Sequence, residues 1–120
     1  MQKTVNILGT EYKIEIHKIS EDVELKDNGW GGYCNETLKL IVLSDVDEDE
    51  YYGNCSDHEK DKITKETLRH ELIHAFLSES GLSSNSLQYS AGWAKNEEMV
   101  DWFAIQSPKI FKLFTECGCI

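Results

Sequence analysis

The chain has 120 residues, of which 40% are hydrophobic and 28% charged, and its formal net charge is -10. This size allows one compact domain with a single core, so we predict one domain over residues 1–120 and exclude a disordered chain. The acidic charge, with no local cluster of Lys or Arg, argues against a nucleic-acid partner. No apolar run approaches the roughly 20 residues of a membrane span, and no signal-peptide core opens the chain, so a cytoplasmic protein without membrane contact is expected.

Strands are predicted for the N-terminal third. Apolar and polar residues alternate on either side of Gly9-Thr10, which predicts an antiparallel hairpin. Residues 38–43, LKLIVL, form a continuous apolar run that predicts a strand covered on both faces. The acidic segment 44–61, which Gly and Asn interrupt, predicts a long exposed loop.

Helices are predicted for the rest of the chain. Apolar residues at spacings of three and four predict a helix from the N-cap Thr64 to about Ser80, where Gly81 ends it. A second helix is predicted to begin near residue 94 or 95 and to end at Ser107-Pro108. That pair then opens a last short helix through residues 111 and 114.

The first predicted helix contains the HExxH pattern, His70-Glu71-Leu72-Ile73-His74. Residues four apart lie on one face of a helix, so both imidazoles can reach one metal ion at the bond length that zinc requires. Glu71 lies next to this pair and is placed to accept a proton from water activated by the metal. Two ordinary surface histidines are the alternative, but half of the four histidines in the chain fall at this spacing.

A catalytic zinc needs a third protein ligand and one open position. His17, on a predicted strand, and His58, in the acidic loop, are both candidates for the third ligand. The stretch NEEMVDWFA at residues 96–104 adds Glu97 and Glu98, which could equally be an acidic helix start favoured by the helix dipole.

The spacing around this stretch resembles that of the gluzincin metallopeptidases. In these families, HExxH is followed on a later helix by a ligand glutamate in the form ExxxDxFA, and this chain has Glu97, Asp101, Phe103 and Ala104 in that register. Residues 64–107 also resemble small zincin-like proteins of bacterial and phage genomes, of the ImmA/IrrE type. The resemblance implies an α+β, zincin-like fold, with a small antiparallel or mixed sheet packed on the HExxH helix and on a second, ligand-bearing helix.

The resemblance also implies a zinc ion bound by His70, His74 and Glu97, with Asp101 supporting a ligand histidine and Glu71 as the catalytic base. Helical geometry is consistent with that register, because Asp101 can lie behind Glu97 and reach the outer nitrogen of a histidine. Glu98 has Trp102 at the same offset, which cannot accept that hydrogen bond. Glu98 remains the alternative ligand.

The function expected from these features is that of a small, soluble zinc metallopeptidase that hydrolyses peptide bonds of a protein or peptide partner. The alternatives are a zinc-binding regulatory module without turnover and a metal-free domain with a chance HExxH. In zincins the substrate adds a strand to a sheet edge, for which GWGGYC at 29–34 is the candidate, although it also suits a glycine-rich turn. Candidates for an oxyanion-stabilising group are Tyr51, Tyr52 and Tyr89, and all four cysteines are expected as free thiols.

Overall fold

The chain forms two pairs of strands, each followed by helical segments. The computed structural model describes residues 2–86 and 92–120. Its strands are β1 (Gln2–Ile7), β2 (Thr10–His17), β3 (Gly32–Asn35) and β4 (Leu40–Ser44). Its α-helices are α1 (Val23–Asn28), α2 (Asp57–Glu79), α3 (Leu82–Ser86) and α4 (Glu97–Glu116), with short 3-10 helices at Ile19–Glu21, Val46–Glu48 and Trp93–Lys95. The fold class is α+β, with a small sheet and packed helices.

The four strands form one mixed sheet in the order β1-β2-β4-β3. The predicted hairpin is confirmed: β1 pairs with β2 antiparallel, Ile7 lies opposite Thr10, and Gly9 has a φ of 94° in the turn. Strand β2 then pairs with β4 in parallel, and β3 pairs with β4 antiparallel. This order leaves β1 and β3 at the two edges of the sheet.

Strand β4 lies inside the sheet, and the prediction that both of its faces are covered is confirmed. Ile41, Val42 and Leu43 are successive residues and therefore point to alternate faces, yet their exposed fractions are only 0%, 0% and 1%. One face carries the main core, in which β-strand residues contact Ala75 of α2, with Leu68 and Leu72 packed at its margin. The sheet therefore holds the central part of α2 in place.

Helix α2 begins eight residues before the predicted start, from N-cap to N-cap. Its N-cap is Ser56, whose side chain accepts a hydrogen bond from the backbone N–H of Glu59 while the Glu59 carboxylate accepts from Ser56, a capping box. Thr64 is therefore an interior helical residue, and His58 lies in the first turn of α2 and not in a loop. The prediction missed this start because the first two turns are mostly exposed and carry no apolar period.

Helix α4 is a single helix, so the predicted end at Ser107-Pro108 and the separate last helix are wrong. Proline has no N–H and deprives the carbonyl four residues earlier, that of Ala104, of its helical partner. The Nε of Arg69 on α2 donates a hydrogen bond to this carbonyl at 2.5 Å. A side chain from another helix thus compensates for the proline. Helix α4 also begins later than the predicted residue 94 or 95, because Trp93–Lys95 is a 3-10 helix and Asn96 is the N-cap of α4.

The C-terminal half of α4 is largely exposed, including Phe111, Leu113 and Phe114. None of the helices in the described ranges combines the length and the apolar character that crossing a bilayer requires.

All four cysteines are free thiols in the structure.

Candidate metal centre

Two apolar clusters place the HExxH motif next to the start of α4. On one side of α2, Ala75 packs into the sheet core. On another side, Leu77 packs with Val100 of α4 and with Ala94, just before that helix. Because both clusters lie within one turn of His74, the position of α4 relative to the motif is fixed by packing, and Glu97 faces the two histidines.

Three side-chain atoms from these helices converge. The Nε2 atoms of His70 and His74 are 3.1 Å apart. The Oε2 atom of Glu97 lies 3.0 Å from Nε2 of His70 and 3.4 Å from Nε2 of His74, while its Oε1 lies 3.2 Å from Nε2 of His74. Two nitrogens and a carboxylate therefore form a small triangle.

The size of this triangle fits a zinc ion. Tetrahedral coordination with bonds of about 2.0–2.1 Å places neighbouring ligand atoms about 3.3 Å apart, close to each of the three distances. Two nitrogens and one carboxylate oxygen are also a ligand set that catalytic zinc sites use. The residues present therefore fit zinc in both spacing and chemistry.

Asp101 sets the orientation of the first imidazole. Its Oδ1 lies 2.7 Å from Nδ1 of His70, one helical turn beyond Glu97. A hydrogen bond donated by Nδ1–H leaves the lone pair of Nε2 pointing at the Glu97 carboxylate, which also carries lone pairs. Such an arrangement is repulsive unless a proton or a metal cation lies between the two atoms. The geometry of Asp101 thus favours a cation in the triangle.

Burial favours the form of His74 that binds metals. Removal from water, together with the nearby His70 and Lys95, lowers the pKa of His74, although the Glu97 carboxylate acts in the opposite direction. The neutral imidazole, with its free lone pair, is consequently the preferred state.

Glu71 differs from Glu97 in its surroundings. The Glu71 side chain is buried, with 5% exposed, whereas the Glu97 side chain is 64% exposed. Burial and the nearby Glu97 and Asp101 carboxylates raise the pKa of Glu71 to about 7, against a lowering by His70. One carboxylate atom of Glu71 also lies within 4.8 Å of donor atoms of both histidines. A carboxyl group with this pKa can take up and release a proton near neutral pH.

The other candidate ligands lie elsewhere. His17 is held at the end of β2, where its ring nitrogens contact Asp22 at 2.6 Å and Glu15 at 2.9 Å. His58 is twelve residues before His70 on the same helix, about 18 Å along the axis. Glu98 is exposed, one position beyond Glu97. The structure brings together His70, His74, Glu97 and Asp101, with Glu71 beside them.

A cleft reaches this centre and runs beside the edge strand β3. One part of it, a cavity of about 580 Å³, is lined by Trp30 and Cys34 of the predicted segment GWGGYC and by Glu36 and Lys95, which sequence reasoning did not identify. Lys95 is held by Glu36 at 3.1 Å, and Glu36 also accepts a hydrogen bond from Ser83. No spacing rule links these residues to HExxH, so the sequence carried no signal for them.

The segment GWGGYC contains both of the predicted structures, a turn in its first part and an edge strand in its second part. Gly29 ends α1 in the left-handed conformation with a φ of 65°, while residues 32–34 belong to the edge strand β3. Tyr51 and Tyr52 line a different cavity from the one that contains the histidines. Tyr89 lies outside the described residues.

Compared with protein-family models, curated proteins and solved structures, the chain gives no match. What this centre can do therefore follows from its own geometry and chemistry.

Proposed function

We propose that the protein is a zinc-dependent metallopeptidase with a zincin-like fold, which hydrolyses peptide bonds of a protein or peptide partner. The observation that carries this proposal is the triangle formed by the Nε2 atoms of His70 and His74 and the Oε2 atom of Glu97, with distances of 3.0 to 3.4 Å that suit tetrahedral zinc. His70, His74 and Glu97 hold the metal, and Asp101 keeps the His70 ring in the tautomer that binds it.

The reaction requires a metal and a base. When bound, zinc supplies a Lewis acid that polarises a carbonyl group and lowers the pKa of water. Glu71 accepts the proton from the attacking water and passes it to the leaving amine. Its burial and its pKa of about 7 support both steps, because proton uptake and release then have similar cost at neutral pH.

The edge strand β3 supplies a surface for an extended substrate. It pairs with β4 on one side only among the described residues, and Gly32, Tyr33 and Cys34 line the cleft beside Glu71. A peptide added as a further strand would pass the zinc ligands, with main-chain hydrogen bonds giving affinity that is independent of its sequence.

Substitution of the base tests this function. The Glu71→Gln variant should bind one equivalent of zinc as the wild type does, while hydrolysis of a mixed peptide library, followed by mass spectrometry, falls by about 100-fold or more. Glu98→Gln, the same chemical change at an exposed glutamate, should retain turnover. Equal turnover in Glu71→Gln and the wild type would exclude Glu71 as the base.

A zinc-binding regulatory module without turnover is the second candidate. The exposed aromatic residues of α4, Trp102, Phe111 and Phe114, favour it because apolar side chains of this size are enriched in binding surfaces. The same variant separates the two candidates: if Glu71→Gln keeps both its zinc and every cellular effect of the wild type, hydrolysis is not the function.

A further inference from the structure

We propose that a second cavity, between the first half of α2 and the segment 46–55, is a specificity pocket that binds a basic side chain, Lys or Arg, of the substrate. This inference rests on the proposed peptidase function, since the cavity adjoins the metal cleft. The name side pocket is used below for this cavity, whose lining includes Leu43, Val46, Tyr52, Glu59, Ile63 and Glu66.

The side pocket lies next to the metal centre. Gly31, Glu66 and Thr67 line both the side pocket and the part of the metal cleft that contains His70 and Glu71. A substrate strand along β3 that reaches the metal cleft would therefore also pass beside the side pocket. Its volume of about 620 Å³ is large enough for a long side chain and its hydration water.

The walls of the side pocket suit an aliphatic stem with a cationic end. Leu43, Val46 and Ile63 provide an apolar lining against which the methylene groups of Lys or Arg can pack. The rings of Tyr51 and Tyr52 meet edge to face with centroids 4.9 Å apart and add aromatic surface to the same lining. An aromatic face attracts a guanidinium or ammonium group as well as an alkyl chain.

The carboxylates of the side pocket differ in whether they already accept hydrogen bonds from other residues of the protein. Asp49 accepts hydrogen bonds from the backbone of Tyr51 and Tyr52, and Glu59 accepts them from Ser56 in the capping box. The side chain of Glu66 makes no hydrogen bond or ion pair with any residue in the described parts of the chain, although this residue is half-buried. Its carboxylate is therefore available to a ligand.

Glu66 lies close to the metal centre along helix α2. Glu66 precedes His70 by four residues, one helical turn, so both side chains lie on the same face of α2. The lining of the side pocket contains three carboxylates and one cationic side chain, that of Lys62, which lies one turn before Glu66 and is exposed. The net charge of -10 attracts basic peptides to the molecule as a whole. Local and overall charge therefore favour the same class of side chain.

Peptide binding to the Glu71→Gln protein tests the pocket without turnover. Fluorescence anisotropy compares labelled peptides Ala-Ala-Xaa-Ala-Ala, in which Xaa is Arg, norleucine or Glu, at one fixed salt concentration. The arginine peptide should bind about tenfold or more tightly than the norleucine peptide, because a partly buried ion pair adds to the same aliphatic contact.

Two further substitutions assign the preference to Glu66. Glu66→Gln should bring the arginine peptide close to the norleucine peptide, and Glu66→Lys should make the glutamate peptide bind more tightly than the arginine peptide. Glu11→Lys places the same change of charge on an exposed residue of β2 and should leave the order of the three peptides unchanged. The inference is overturned if arginine and norleucine peptides bind equally to the Glu71→Gln protein. It is also overturned if Glu66→Lys and Glu11→Lys change the order alike.

Zinc content, measured on the same samples, tests the proposed function separately. A protein that binds zinc but shows no arginine preference contradicts the side pocket alone. A protein that binds no zinc contradicts the peptidase proposal, whereas an arginine preference in that protein still supports the side pocket as a binding site.

Discussion

The two adjacent glutamates at the start of α4 have different neighbours. Glu97 lies 3.0 and 3.2 Å from the Nε2 atoms of His70 and His74, and Asp101 one turn later contacts the outer nitrogen of His70. Glu98 is exposed to solvent. One residue along the helix thus separates the proposed metal ligand from a solvated side chain.

Alanine substitutions at these two positions should therefore have unequal effects. Glu97→Ala removes a ligand, so its zinc affinity should fall by about 100-fold or more, beyond the range typical of outer hydrogen-bond partners. Glu98→Ala should retain zinc affinity within about twofold, since an exposed charge has little effect. Competition with a chromophoric chelator measures both affinities. Equal losses would mean that the ligand glutamate is wrongly assigned.

The pairing of residues within each helix could be predicted from helical periodicity, whereas the meeting of the two helices was expected only from the resemblance to the gluzincins. His70 and His74 share a face through their spacing of four, and Asp101 follows Glu97 by the same spacing. The cleft residues Lys95 and Glu36 could not be predicted, because the packing of separate elements brings them together. Glu66 also lies four residues from His70, but only the cavity beside it gives that spacing a meaning.

At the scale of elements, the continuity of α4 depends on a contact from α2. Arg69 donates to the Ala104 carbonyl that Pro108 leaves without its helical partner. The sequence predicts a helix end at a proline because local geometry forbids the backbone hydrogen bond. It does not show that a side chain 35 residues earlier occupies the carbonyl, which is a tertiary effect.

A double-mutant cycle measures this contact. Arg69→Met should reduce the free energy of unfolding by about 1.5–3 kcal/mol, since the buried carbonyl of Ala104 loses a charged donor. In the Pro108→Ala background the cost should be smaller, because the N–H of residue 108 can then bond to that carbonyl. Urea unfolding of the four proteins gives the coupling energy. Additive effects would show that Arg69 stabilises α4 in some other way.

The C-terminal end of α2 is tied to the sheet by Glu79. Its carboxylate accepts hydrogen bonds from Lys39 at 2.6 Å, Tyr12 at 2.7 Å and Thr10 at 2.9 Å. These contacts, that of Lys39 first, lower the pKa of Glu79 to about 2 from an ordinary value of 4.5. The stabilisation is thus fully present above pH 4.5 and declines as the pH falls from 4.5 toward 2.

Stability as a function of pH tests this tie. The difference in urea midpoint between the wild type and Glu79→Gln should be largest above about pH 5 and should shrink toward pH 2, because glutamine does not titrate. Circular dichroism at several pH values follows both proteins. A difference that stays constant over this range would contradict the assigned shift of the Glu79 pKa.

At the scale of the whole molecule, the metal would join α2 and α4 across the cleft. A ligand that binds only the folded state adds about 2.7 kcal/mol at a free concentration 100 times its Kd. For a domain of this size, that stabilisation raises the Tm by about 10 °C. Chelation should therefore lower the Tm of the zinc-loaded wild type by this amount, as differential scanning fluorimetry can measure.

The His74→Ala variant is the control for this effect. Its Tm should not respond to zinc or to a chelator, since two of the three ligands remain and the triangle is incomplete. If both proteins respond alike, zinc acts through another part of the chain, such as Cys117 and Cys119 in the exposed C-terminal segment.

The sequence predicted the α+β class, the hairpin and the buried strand β4 because period-two alternation and continuous apolar runs report directly on burial. The sequence patterns missed the start of α2, because the exposed first turns have no apolar face. Only the capping box of Ser56 and Glu59 marks the N-terminus of this helix. The mixed order of the sheet depends on long-range pairing of β2 with β4, for which local patterns carry no signal.

Zinc K-edge absorption spectroscopy on protein purified without added metal tests the central claim most directly. The ligands His70, His74 and Glu97 predict about one zinc per chain, with only nitrogen and oxygen neighbours at about 2.0–2.2 Å and the multiple scattering of two imidazole rings. A sulfur neighbour at about 2.3 Å would instead indicate cysteine ligands, and less than about a tenth of an equivalent of zinc, with none gained on titration, would contradict the metal centre itself.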